Sequence, residues 1–145
     1  MAADRSDDDF NLGADPTLIE TTPGGPKIVM LAQLLKDLSF ESPAAPELLK
    51  QAGQVPQGVV KVDIKAARQT AEPGEIYEVV LMMRVEARLE DRVAYIVELH
   101  YAAIVGFENM PAKETEPTLM VKVPRLIFPF ARQIIAQTVQ DGGFR

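Results

Sequence analysis

The sequence contains no cysteine, no tryptophan and a single histidine, His100. The first absence excludes disulfides and thiolate metal sites. With one histidine, no His-cluster zinc site forms within a chain. No apolar run approaches the ~20 residues that span a bilayer. The start, Met1-Ala2-Ala3-Asp4-Arg5, lacks the cationic opening and apolar stretch of a secretory signal. Basic residues are also scarce: 15 Lys and Arg stand against 21 Asp and Glu, a net charge of −6. Such a chain is repelled by nucleic acid and by anionic membrane surfaces. Gly-rich phosphate loops, GxSxG, HExxH and CxxC are all missing. The expectation is a cytoplasmic, soluble protein that is not an enzyme, with no cofactor, no metal, no nucleic-acid partner and no membrane insertion.

What is present suits one domain. The 145 residues are 47% hydrophobic and 25% charged, which is ordinary for a globular chain. Residues 1–26 are acidic and rich in turn formers. With Lys27 they hold six acids against two bases, −4 of the −6. They are read as a flexible acidic N-terminal tail that cannot offset its ordering entropy. Residues 27–145 form the domain. Residues 28–40 are open to two readings: Leu31, Leu34, Leu35 and Leu38 fit a helix face, whereas the β-branched start and the Leu38/Phe40 alternation fit a strand. Residues 59–66 alternate as a half-buried strand, with Val60, Val62, Ile64 and Ala66 on one face. Glu72-Pro73-Gly74-Glu75 is a turn.

Residues 76–101 read as an alternating β-hairpin. Tyr77, Val79, Leu81, Met83, Val85, Ala87 and Leu89 share one face, and the turn falls near Glu90-Asp91. The return strand puts Val93, Tyr95, Val97, Leu99 and Tyr101 on one side and Ala94, Ile96, Glu98 and His100 on the other. Short-turn strands are antiparallel, and such a sheet can leave one face wet. Residues 106–124 are read as a long connection. A helix then opens at Pro124, with Pro129 in its first turn. Leu126, Ile127, Phe130, Ile134, Ile135 and Val139 give it a wide apolar surface, and Gly142-Gly143 stop it.

His100 has no acidic or nucleophilic partner at a defined spacing, so a strand-face histidine is the expectation. Glu90/Asp91, Glu114 and Glu116 read as solvated acids. Asp7-Asp8-Asp9 reads as part of the tail. The stripe Tyr95-Val97-Leu99-Tyr101 is either core or a subunit interface. The helix favours the interface, since one sheet cannot easily cover both its flanks, and uncovered apolar surface marks interaction.

Four stretches, in order and at fitting separations, resemble the SecB family of bacterial protein-export chaperones. They are Lys36 to Pro46 (the pattern KDLSFE…P..P), Tyr77-Glu78-Val79-Val80-Leu81, Tyr95-Ile96-Val97-Glu98-Leu99, and Pro124 to Arg132 (P.L.FP.AR). With Asp141-Gly142-Gly143-Phe144 they cover roughly residues 30–144, and the style resembles alphaproteobacterial members. The resemblance implies an α+β fold: a four-stranded antiparallel sheet with helix packed on one face, assembled as a dimer-of-dimers homotetramer. It makes 28–40 a strand.

The resemblance also implies roles. Asp37, Glu41, Ile96 and Glu98 belong to an acidic sheet face that docks the translocation ATPase SecA. Tyr95 lines a client groove near the long crossing loop, with Phe40, Phe107 and Met110 as further lining. Val97, Leu99, Tyr101, Ile127, Phe130 and Ile134 fall at oligomer contacts. The implied function is an ATP-independent chaperone that holds unfolded precursor proteins translocation-competent and delivers them to SecA. The alternatives are a related chaperone dedicated to one client such as an antitoxin, and a non-chaperone oligomeric adaptor. Family members continue past Gly142-Gly143-Phe144 with an apolar linker and a second helix. Here Arg145 comes last, so the expectation is a truncated or short member lacking that C-terminal helix.

Overall fold

The computed structural model describes residues 17–20, 24–51, 53–69 and 75–144. Four long strands carry the fold: β2 (Lys27–Glu41), β3 (Gln57–Arg68), β4 (Glu75–Leu89) and β5 (Arg92–Glu108). A short strand, β1 (Thr17–Glu20), adds to the edge, and the sheet runs β1-β2-β5-β4-β3 with every pair antiparallel. β1 thus lies within the stretch expected as tail. Asp7-Asp8-Asp9 and the Glu72-Pro73-Gly74 turn fall outside the described residues.

The hairpin forms as its alternation demands, with Leu89 paired to Arg92 and Glu90 at φ 60 in the turn. Residues 28–40 are a strand along their whole length. Two bulges interrupt it, between Met30 and Ala32 and between Leu35 and Asp37. A bulge shifts which side chains face which side of the sheet. Leu35 therefore pairs Tyr101 on one face, while Asp37 pairs His100 on the other.

Two expectations are corrected at the C-terminal end. The stretch 106–124 is not an extended connection: β5 continues to Glu108, and α1 (Ala112–Pro117) and a π-helical turn (Thr118–Lys122) lead directly into α2 (Val123–Asp141). The helix accordingly begins before Pro124, and Pro129 lies inside α2 rather than in a first turn. Without an N–H, Pro129 leaves the Arg125 carbonyl unpaired along the helix. Pro129 is on the exposed side of the helix.

The core lies between one sheet face and α2. Val123, Ile127, Ala131, Ile135 and Val139 are all buried at four-residue spacing. This single row packs on the face carrying Val79, Leu81, Val97, Leu99 and Val105. The flanking row, Leu126, Phe130 and Ile134, stays half-buried or exposed. Cover over β3 is partial: Ile64 packs against the core, but Val60 and Val62, also on the helix side, are 54% and 51% exposed. Among the described residues no helix is long and apolar enough to cross a membrane.

Candidate functional sites on the sheet face and at the crossing loop

The sheet face away from α2 is open and charged. Cross-strand pairing sets Glu41 beside Ile96, Ser39 beside Glu98, and Asp37 beside His100. All four sequence-predicted docking residues, Asp37, Glu41, Ile96 and Glu98, thus share this face on neighbouring strands. The next strand contributes Arg84 opposite Glu98 and Glu86 opposite Ile96.

Arg84 donates from Nε to Glu98 Oε2 at 3.0 Å and from Nη1 to Glu86 Oε1 at 3.1 Å. Arg88 donates from Nε to Glu86 Oε2 at 3.0 Å. The hydrogen bonds from Arg84 and then Arg88 hold the Glu86 carboxyl below its usual range, and those to Glu86 and Glu98 raise the Arg84 guanidinium. Two of the face's acids are therefore already neutralised. Asp37 and Glu41 make no ion pair among the described residues. Sequence reasoning did not single out Arg84 and Arg88 as partners of these acids, because their pairing depends on strand register.

The second site lies where α2 ends against the loop from β2 to β3. That loop must cross from one side of the sheet to the far edge, because β5 and β4 lie between its two strands. α2 stops in a Schellman turn: Phe144 N–H donates to the Val139 carbonyl at 3.1 Å and Gly143 N–H to Gln140 at 3.0 Å. Gly143 has φ 96, a left-handed conformation that costs glycine little. The turn folds Phe144 back onto Tyr95, with ring centroids 5.0 Å apart. Tyr95 in turn stacks on Phe40 at 6.0 Å. Burial pushes the Tyr95 phenol up, so it stays neutral well into alkaline pH.

Gly142 is needed for closeness rather than for its backbone angle: a Cβ there would run into the Phe40 ring, whose Cε1 lies 3.0 Å away. We expect Gly142→Ala to push Phe40 off Tyr95 and destabilise the chain by about 1–3 kcal/mol through overpacking. Gly58→Ala is the control, since the nearest atom to its Cβ is at an ordinary 3.6 Å. Equal melting temperatures for the two variants would show that the aromatic cluster yields freely.

Beside these rings is a cavity of about 460 Å³ bordered by Leu48, Leu49, Gln51, Val55, Pro56 and Phe144. These loop residues were not singled out in the sequence, since no periodicity marks an irregular segment. A larger cavity of about 770 Å³ lies between the charged face and the α1 end, with Lys36, Glu78, Met82, His100 and Met120 among its lining. Lys36 and Glu78 pair across it at 2.7 Å.

The four expected client residues do not form one site. Phe40 and Tyr95 are together, whereas Phe107 stacks on Tyr77 at 5.3 Å and Met110 accepts a contact from Thr118. Phe107 lies twelve positions along β5 from Tyr95, roughly 40 Å in an extended strand. The expected oligomer contacts also divide. Val97, Leu99 and Ile127 have no exposed surface, because α2 and the sheet bury them against each other within the chain. Tyr101, Phe130 and Ile134 keep exposed surface. Among the described residues no group of three or more His, Cys, Asp or Glu converges as a metal site.

The chain is thus α+β, with a charged open sheet face and a loop cavity that Phe144 borders. The family model described as preprotein translocase subunit SecB matches residues 21–145. A protein-export protein SecB from Parvibaculum lavamentivorans is 42% identical over 119 residues, covering 82% of this chain and 69% of that protein. One from Rhizorhabdus wittichii is 40% identical over 133 residues, covering 91% and 77%. The chain belongs to the SecB family of protein-export chaperones. Its fold is shared with a SecB-like chaperone from Mycobacterium tuberculosis, solved with a ChAD peptide from an antitoxin. That match has a TM-score of 0.68 at 9% identity and covers 81% of this chain and 85% of the other.

Proposed function

We propose that this protein is an ATP-independent holdase of the bacterial cytoplasm. It binds unfolded precursor proteins, keeps them competent for translocation and passes them to the translocation ATPase SecA. The observation that carries the reading is the aromatic cluster Phe40, Tyr95 and Phe144 beside a loop cavity with leucine, valine and proline in its walls, in a chain of this family. Such a surface favours exposed apolar segments of many sequences. Several copies in a dimer-of-dimers tetramer multiply weak contacts along one client through effective concentration. Binding the unfolded state also disfavours folding by mass action.

Native mass spectrometry tests this with a reduced, unfolded secretory precursor. The expected result is a tetramer holding one unfolded chain and ignoring the folded form. A tetramer indifferent to the unfolded chain would favour the oligomeric adaptor instead. A chaperone dedicated to one client is the second reading, and the antitoxin peptide held by the Mycobacterium tuberculosis chaperone of the same fold is its support. Capture of varied precursors would decide against it.

Delivery is assigned to the open face, with Asp37 and Glu41 as its unpaired acids. Reversing both, Asp37→Lys with Glu41→Lys, should slow and weaken ATPase binding by about tenfold or more, the scale of charge steering. Client capture should be unchanged. Surface plasmon resonance at low and high salt reads both; an unchanged association rate at low salt would place docking elsewhere.

A further inference from the structure

The open sheet face holds its acids unequally. One row across four strands sets Ser39 beside Glu98, Glu98 beside Arg84, and Arg84 beside Lys61. Within this row Arg84 Nε donates to Glu98 Oε2 at 3.0 Å. The two side chains are 40% and 49% exposed, so a second molecule can reach both. Asp37 and Glu41, on β2, make no ion pair among the described residues. Of the three acids assigned to docking, one is therefore occupied from within the chain and two are bare.

Arg84 also has a second seat. Its Nη1 donates to Glu86 Oε1 at 3.1 Å, and Arg88 holds the other oxygen of Glu86 at 3.0 Å. When a foreign cation takes Glu98, Arg84 keeps Glu86, and no charge is left without a partner. Exchange at Glu98 needs no movement of the strands, only release of one hydrogen bond from Arg84.

We propose that Arg84 is an internal competitor for the docking partner: it occupies Glu98 until a basic side chain of the ATPase displaces it, and so sets the affinity of the open face. This rests on the docking reading and deepens it. Asp37 and Glu41 attract any basic segment. Glu98 yields only to a cation that outcompetes a guanidinium already in place. A diffusely basic surface is held less well than one with a side chain placed over Glu98.

Surface plasmon resonance with purified SecA at physiological salt tests this on the full chain. Arg84→Gln should lower Kd about three- to fivefold, the scale of an exposed ion pair. Lys61→Gln is the charge control. It removes the same unit of charge from the same face, and Lys61 makes no ion pair among the described residues. Lys61 lies two strands from Glu98, roughly 10 Å and about one Debye length away, so its effect should stay under about twofold. Glu98→Gln should weaken binding, and adding Arg84→Gln to it should change nothing further, because the competed group is gone. Melting temperatures of the variants should match the native chain, since exposed pairs contribute little to stability.

An Arg84→Gln gain no larger than that of Lys61→Gln means that only overall charge matters. The proposal then fails, while docking on this face stands if Glu98→Gln still weakens it. A gain that persists in the Glu98→Gln background places the action of Arg84 elsewhere and also overturns the proposal. If Glu98→Gln binds as the native chain does, or the native chain does not bind SecA, the docking reading of Glu98 fails and takes the proposal with it.

Discussion

Truncating Ile127 to alanine should cost about 2–5 kcal/mol of stability, the range for opening a cavity under a fully buried aliphatic side chain. Ile127 sits in the middle of the buried row from Val123 to Val139 and has no exposed surface. The row is the main line of contacts between α2 and the sheet, so neighbouring side chains collapse into a gap there only partly. Gln133→Ala on the exposed side of α2 is the reference, with an expected change within about 0.5 kcal/mol. Urea denaturation at one fixed protein concentration reads both, since assembly makes apparent stability concentration-dependent. Equal midpoints for the two variants would mean that α2 is not docked on the sheet as described.

A charge at Phe130 should instead break the proposed assembly and spare the fold. Phe130 is 50% exposed on the row flanking the buried one, together with Leu126 and Ile134. On the same side of the sheet, Leu35 and Leu38 of β2 are 48% and 38% exposed. Each large apolar side chain buried between copies contributes about 1.5–3 kcal/mol. Burying an unpaired carboxylate there costs several kcal/mol. In the proposed tetramer the substitution recurs in every copy. Phe130→Asp should therefore shift native mass spectra to smaller species, while far-ultraviolet circular dichroism keeps the folded signature. A tetramer that survives the substitution would remove this flank of α2 from the interface.

The strands were the most legible part of the molecule. Alternation from Ile76 to Tyr101 requires a pleated hairpin, because side chains in a strand alternate sides and only one side had apolar residues throughout. The Gly142-Gly143 stop was equally plain, since a left-handed residue at that point favours glycine. The helix start was misplaced because the stretch 106–124, with Pro111, Pro117 and Pro124, read as a connection ending where the helix opens. In the fold a π-helical turn follows Pro117, and the helix carries on past Pro124 and Pro129.

The sequence by itself determined the alternating hairpin, the apolar helix, the surplus of acid and, through the KDLSFE and P.L.FP.AR stretches, the family. These are local signals, written in neighbouring residues. The tertiary structure decided what depends on register and closure. Two bulges in β2 place Asp37 and Glu41 on the open face while Leu35 stays on the helix side. Cross-strand register gives Glu98 and Glu86 to Arg84, leaving the other two acids unpaired. The helix's single buried row turned Val97, Leu99 and Ile127 into core and left Phe130 on the flank. The Schellman turn brought Phe144, more than forty positions away in sequence, onto Tyr95 and beside the loop cavity. Contacts of this kind join residues far apart along the chain, and no periodicity within a segment encodes them.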